Sequence, residues 1–315
     1  MYESKYKYSI IIPHYNTPDL LVRCIKSIPY RSDLQVIVVD DNSPGADKYL
    51  DKYPELSRPN LLFTIVKEKS GAGHARNVAL QYVRGEMVLF SDADDFFSDN
   101  FLSILNKYID NKADLVYFNT KQVFSDNVGK EYEDARCKQR LFDEYYRDGD
   151  INIFRFCYTE PWGKIYNTEY IRSNEIEFEE TKVANDYLFS VKAGCLTDNI
   201  LIDETVLYIV TRRTGSLSYS YSDTLEKVLI RLNVSKHVEL FLNSKGYFFS
   251  PMLIDALMAL LLIRKPIEFV KEFCKLKADG ISRSAFVLDF IEYVFLHIFC
   301  RKKVHKRILP SYKKN

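Results

Sequence analysis

Gly85-Glu86-Met87-Val88-Leu89-Phe90-Ser91-Asp92-Ala93-Asp94-Asp95 passes from an apolar run into three carboxylates, and this junction decides how the rest of the chain reads. Two carboxylates about 4 Å apart repel by roughly 4 kcal/mol at an effective dielectric near 20, so the cluster strains a fold unless something offsets it. A divalent cation at a strand end would do so. A solvated turn, with an aspartate capping a helix over Phe96 to Tyr108, is the plainer alternative.

Outward from this junction, short β-rich runs alternate with helical patterns: Ser9 to Ile12, Gln35 to Val39, Leu62 to Val66, Met87 to Phe90 and Leu115 to Phe118. That rhythm predicts an α/β fold with a mostly parallel central sheet flanked by helices. Leu20, Leu21, Cys24, Ile25 and Ile28 recur at helical spacing, and a second helix should start near Gly73 and end at Gly85. Each early strand is followed by polar residues: Pro13-His14-Tyr15-Asn16, Asp40-Asp41-Asn42-Ser43, Ser70 to Asn77, and the aspartate cluster. The carboxyl ends of such strands are where an open α/β sheet binds ligands, so four loops should build one polar crevice. Residues 120 to 215 read as long loops around one or two short strands. Beyond Thr224 the pattern turns helical over Leu225 to Leu242, Pro251 to Leu262, Pro266 to Leu276 and Phe286 to Phe299.

At 315 residues, 47% hydrophobic and 28% charged, the chain is globular in composition and long enough for a sizeable core. A formal net charge of +1 supplies no large basic field, so no nucleic-acid partner is expected. The six cysteines include no C-x-x-C pair, which favours reduced thiols and a cytoplasmic protein. No apolar leader is evident at the start of the chain, and no segment offers the ~18 uncharged apolar residues of a membrane span.

The motifs Ser9 to Asn16, Val36 to Ser43, Gly71 to Leu80 and Gly85 to Asp95, in that order, resemble the inverting glycosyltransferases of family 2. The resemblance is strong over residues 8 to 119, weaker to about 215 and absent beyond. It implies the GT-A nucleotide-diphospho-sugar transferase fold with a C-terminal helical appendage. Residues 1–120 would be the nucleotide-sugar half, 121–220 the acceptor half, and 221–315 a helical region with a basic tail.

By that resemblance the donor site comprises Pro13, Tyr15, Asp41, Arg76, Asp92, Ala93 and Asp95. Tyr15 could stack on the nucleobase or be a core-edge aromatic; Asp41 would accept a hydrogen bond from the uracil imide or close a turn with Asp40. Arg76, in the first turn of a glycine-opened helix, suits a phosphate or an acidic neighbour. Asp92 lies near the ribose, Asp94 ligates Mn2+ or Mg2+ on the diphosphate, and Asp95 supports the site or meets the sugar. On the acceptor side Asp186 is the candidate base, alternatively a helix N-cap, with Asn185 where relatives commonly carry Glu. Trp162 would be a plate beneath the acceptor sugar or a core tryptophan. His14 and His74 lack a third ligand at zinc-like spacing.

The expected activity is therefore metal-dependent, non-processive transfer of a hexosyl or N-acetylhexosaminyl group from a nucleotide donor, with UDP-sugar favoured. The acceptor would be a hydroxyl of a glycan or lipid-linked glycan in bacterial-type surface polysaccharide assembly. The apolar segment from Phe286 to Phe299 and the basic tail suggest peripheral contact with the inner membrane face, or packing on the catalytic domain. A sugar-phosphate nucleotidyltransferase and a non-catalytic sugar-nucleotide or glycan-binding module are the alternatives.

Overall fold

A computed structural model describes residues 6–132, 137–212, 224–247 and 251–281. The chain divides into two compact units, Met1–Thr181 with Phe189–Tyr219, and Lys182–Leu188 with Ser220–Asn315. In chain order the elements are β1 (Tyr6–His14), α1 (Pro18–Lys26), β2 (Leu34–Asp40), α2 (Tyr49–Lys52), β3 (Leu61–Ile65), α3 (Ala72–Leu80), β4 (Gly85–Phe90), β5 (Phe96–Phe97), α4 (Phe101–Lys107), β6 (Leu115–Phe124), β7 (Asn127–Glu131), α5 (Cys137–Asp148), α6 (Asn152–Cys157), β8 (Lys164–Asn167), α7 (Thr168–Ser173), α8 (Tyr187–Cys195), β9 (Ile200–Arg212), α9 (Leu225–Ser244), α10 (Pro251–Leu262) and α11 (Pro266–Lys275).

The first unit is built on a nine-stranded sheet in the order β3-β2-β1-β4-β8-β6-β9-β5, with β7 paired to β6. Pairing is parallel from β3 through β4 and between β6 and β9. It is antiparallel where β8 joins β4 and β6, where β5 joins β9, and in the β6–β7 hairpin. The continuous Val/Ile content of β1 and β2 follows from burial on both faces; Ile10, Ile11, Ile12, Val36, Ile37, Val38 and Val39 are all fully buried.

Strand order reverses direction at β1, with β2 and β3 on one side and β4 on the other, so the crevice opens between β1 and β4. Pro13 fits that gap. β4 pairing ends at Ile11, whose carbonyl accepts from the Ser91 N–H. Two residues on, the missing N–H of Pro13 faces the side where β4 has already departed, so no ladder bond is lost.

Three expectations require correction. No aspartate of the cluster caps a helix: Phe96 and Phe97 instead pair with Ile209 and Tyr208, and α4 begins after Asn100. Gly85 does not end the second helix, which stops at Leu80. It opens β4 against β1, where a Cβ would stand 2.6 Å from the Ser9 backbone nitrogen. The middle region is far more regular than loops around one or two strands, since it holds β8, the thirteen-residue β9 and four helices.

At the start of β9, Asp203 accepts hydrogen bonds from Lys107 and Tyr108 at the end of α4 (2.7 and 2.8 Å). Burial pushes its carboxyl up, but these bonds and those of Thr205 prevail and hold it at about 2. A depressed folded-state value stabilises the fold above the unfolded value near 4, and the contribution is lost as pH falls from about 4 to about 2. Lys107 is largely exposed, so after solvent screening the effect is about 1 kcal/mol. Asp203→Asn is expected to lower Tm at pH 6 while narrowing its gap to wild type at pH 2.5, as read by thermal melts.

In the second unit, Val228, Leu232, Val238 and Leu242 of α9 are buried. Lys236 of α9 pairs with Glu272 of α11 and with Asp279 at 2.9 and 2.7 Å. No helix among the described residues is long and apolar enough to cross a membrane. The expected helix from Phe286 to Phe299 and the basic tail lie outside the described residues.

Candidate active site

The loops after β1 and β2 are joined around Asp40. Its carboxylate accepts from the Ser43 N–H (2.6 Å) and hydroxyl (2.8 Å) and faces His14 Nδ1 at 2.6 Å. The Thr17 N–H donates to His14 Nε2, so hydrogen-bond geometry assigns the ring proton to Nδ1, aimed at Asp40. Ser43 Oγ in turn accepts from the Asn16 N–H. With its base fixed in this way, Tyr15 projects outward, 39% exposed, and Lys69 Nζ lies 3.5 Å from its ring centroid.

Asp41 lies deeper than a residue reaching freely for a base. It is buried, and its two oxygens accept from the Ser70 and Gly71 N–H groups at 2.8 and 2.9 Å. It ties the β2 loop to the start of α3, which leaves only its remaining lone pairs for a ligand. Gly71 holds φ 93°, a conformation suited to glycine, at the N-cap of α3.

Helix α3 begins at Ala72, so Arg76 stands in its second turn rather than its first. Arg76 is buried, its guanidinium lies 5.2 Å from the Phe178 ring centroid, and Nη2 donates to Asp92 Oδ1 at 2.7 Å. Asn77 exchanges hydrogen bonds with the Phe178 backbone in both directions, and His74 meets Glu180 at 3.0 Å. The segment from Phe178 to Glu180 thus forms a wall beside the start of α3.

Along the aspartate loop exposure alternates: Asp92 and Asp94 are half-buried, whereas Ala93 and Asp95 are buried. Asp95, read as supporting the site or meeting the sugar, is interior, and its Oδ1 accepts from the Thr211 N–H at 2.6 Å. Burial, then the charges of Asp94 and Asp92, push its carboxyl well above the usual carboxylate range, against hydrogen bonds from Thr211 and Tyr208. The Tyr208 hydroxyl also accepts from the Asp92 N–H at 2.8 Å. Trp162 stacks on Tyr208 at 5.3 Å and 13° and is only 8% exposed. It offers no bare face to a sugar and instead backs the tyrosine that holds the loop.

Two arginines lie against the aspartate loop. Arg76 meets the Asp92 carboxylate, and Arg23 of α1 donates to the Asp94 carbonyl oxygen at 2.5 Å. Among the described residues no group of three or more His, Cys, Asp or Glu side chains could hold a metal ion. Asp94, with Asp92 beside it, does fit the mode in which Mg2+ or Mn2+ takes one or two carboxylates and completes its shell from substrate phosphates. Asp186 belongs to the Lys182–Leu188 segment of the second unit, half-buried and immediately before α8. Arg23, Thr211, Tyr208 and Phe178 carry no local signal in the sequence, because each reads as a surface helix position or a core strand residue.

A mixed sheet flanked by helices, with a half-buried carboxylate pair just after β4 and a buried arginine bonded to the first of the pair, places the chain in the GT-A class of nucleotide-diphospho-sugar transferase folds. The fold is similar to that of Staphylococcus aureus TarS, at 25% identity and TM-score 0.58 over 80% of this chain and 70% of that one. It is likewise similar to TarS in complex with UDP-GlcNAc, at 23% identity and TM-score 0.59 over 92% of each chain. Residues 9–166 match the family described as Glycosyl transferase family 2, and the chain belongs to that family. Among curated relatives, the poly(ribitol-phosphate) beta-N-acetylglucosaminyltransferase TarS of S. aureus is 31% identical over 218 residues, 66% of this chain and 36% of the relative. The poly(ribitol-phosphate) beta-glucosyltransferase of Bacillus spizizenii is 27% identical over 224 residues, 68% of this chain and 34% of the relative. The chain spans about a third of the length of these curated relatives.

Proposed function

We propose that the chain is an inverting, metal-dependent glycosyltransferase that moves a hexosyl or N-acetylhexosaminyl group from a UDP-sugar to a hydroxyl of a glycan or polyol-phosphate acceptor. The observation that carries this reading is the half-buried Asp92/Asp94 pair beside Arg76 at the β1/β4 crevice. Tyr15 stacks on the base, while Asp41 holds the loop that frames it. Arg76 favours the diphosphate through its charge. Mg2+ or Mn2+, held by Asp94 and diphosphate oxygens, would neutralise charge on the departing nucleoside diphosphate. Asp186 takes the acceptor hydroxyl proton as that oxygen bonds to the anomeric carbon and the bond to the diphosphate oxygen breaks on the opposite face. The polymer acceptors in the relatives' names support a bacterial surface-polymer acceptor here.

A panel of nucleotide-sugars tested with Mn2+ for thermal stabilisation and slow hydrolysis checks this reading. UDP-sugars at about 100-fold above Kd are expected to stabilise the fold by about 2.7 kcal/mol. Release of pyrophosphate from a nucleoside triphosphate and a sugar phosphate would make the chain a nucleotidyltransferase instead. Donor binding with no transfer to any acceptor would make it a binding module.

A further inference from the structure

We infer that Arg23 is a positioning residue that fixes Asp94 for the cation-diphosphate complex, an inference resting on the donor-site reading above. α1 starts directly after the Tyr15 loop, where the Thr17 N–H is held by His14. Near its other end, Arg23 spreads its guanidinium over three separate elements. Nη2 donates to the Asp94 carbonyl oxygen (2.5 Å) and to Thr211 Oγ1 of β9 (3.3 Å), and Nη1 donates to the Ser125 carbonyl oxygen in the β6–β7 turn (2.9 Å). Its Cζ lies 5.6 Å from the Phe96 ring centroid. Thr211 Oγ1 donates to the same Asp94 carbonyl at 2.7 Å, while its N–H is taken by Asp95.

Two donors therefore converge on one backbone oxygen of the residue whose side chain would face the cation. A planar fork suits this arrangement and an ammonium does not, because only the guanidinium reaches a carbonyl, a hydroxyl and a second carbonyl from one rigid group. The same helix thus links the nucleobase loop to the Asp94 loop, and removal of the fork should loosen Asp94 without touching the base side.

Calorimetric titration of UDP into the full chain, once in EDTA and once in Mn2+, separates this role from a general structural one. Wild type should bind UDP more tightly in Mn2+. Arg23→Met should shrink that gain about tenfold, the loss of one charge-assisted hydrogen bond, and leave UDP affinity in EDTA unchanged. Arg23→Lys should not restore the gain. Thr211→Val, which keeps the N–H to Asp95, should lose a smaller part of it, and Thr211→Ser should match wild type; this pair carries the test if Arg23→Met does not fold. An undiminished Mn2+ gain in Arg23→Met, or an equal loss in EDTA and Mn2+, would overturn the assignment. If wild type itself shows no Mn2+ gain, the donor-site cation reading fails and this one with it.

Discussion

Asp186→Asn is expected to lower kcat for sugar transfer about a thousandfold while UDP affinity stays within about twofold of wild type. The substitution keeps size and the capacity to accept a hydrogen bond at the start of α8 and removes only basicity. Asn is as good a helix cap as Asp, so a purely structural Asp186 would tolerate the change with little loss of activity or stability. A catalytic base would not, because the acceptor hydroxyl then has to attack without losing its proton to a positioned carboxylate. Steady-state rates with donor and acceptor, set beside UDP titrations, distinguish the two. Retention of transfer within tenfold of wild type would remove Asp186 from the chemistry, and parallel loss of UDP binding would give it a structural role.

The part of the fold that could be read from the sequence is the part whose instructions are local. β1, β2 and β4 carry apolar runs, as strands buried on both faces must, and α1 shows a 3.6-residue stripe. Phe96-Phe97 reads as the start of a helix until β9 comes to lie beside it, more than a hundred residues along the chain. β8 is four residues long, and α5 is strongly polar, so neither stands out. The site divides in the same way. Carboxylate density marks Asp92 and Asp94, but the direction a side chain faces is set by distant packing. Tyr208 turns Trp162 into a buried plate, and Ser70 and Gly71 turn Asp41 into a loop tie. Arg23 lies on the amphipathic α1 between buried Leu21 and Cys24; only the folded chain brings Asp94, Ser125 and Thr211 to it.

Asp94→Asn is expected to lower kcat/KM about a thousandfold and abolish the Mn2+ dependence of UDP binding, with Tm unchanged. Asp92 accepts from the buried Arg76, so Asp92→Asn weakens a pair whose cation is 5% exposed and whose carboxylate is 34% exposed. Removing one partner of a fully buried pair costs about 3–5 kcal/mol, and with a third of the carboxylate in solvent and an amide oxygen still able to accept, about 1–2 kcal/mol remains. At Asp94, Arg23 and Thr211 both grip the carbonyl oxygen. Asparagine keeps that grip and relieves carboxylate repulsion, so the fold should not suffer. The two variants should therefore separate, with Asp92→Asn losing stability and donor affinity together and Asp94→Asn losing chemistry and the Mn2+ gain in UDP binding without a loss of stability. Melting curves and paired UDP titrations in EDTA and Mn2+ decide it. A drop in Tm for Asp94→Asn as large as that for Asp92→Asn would place Asp94 in the scaffold and leave the cation to be held by other groups.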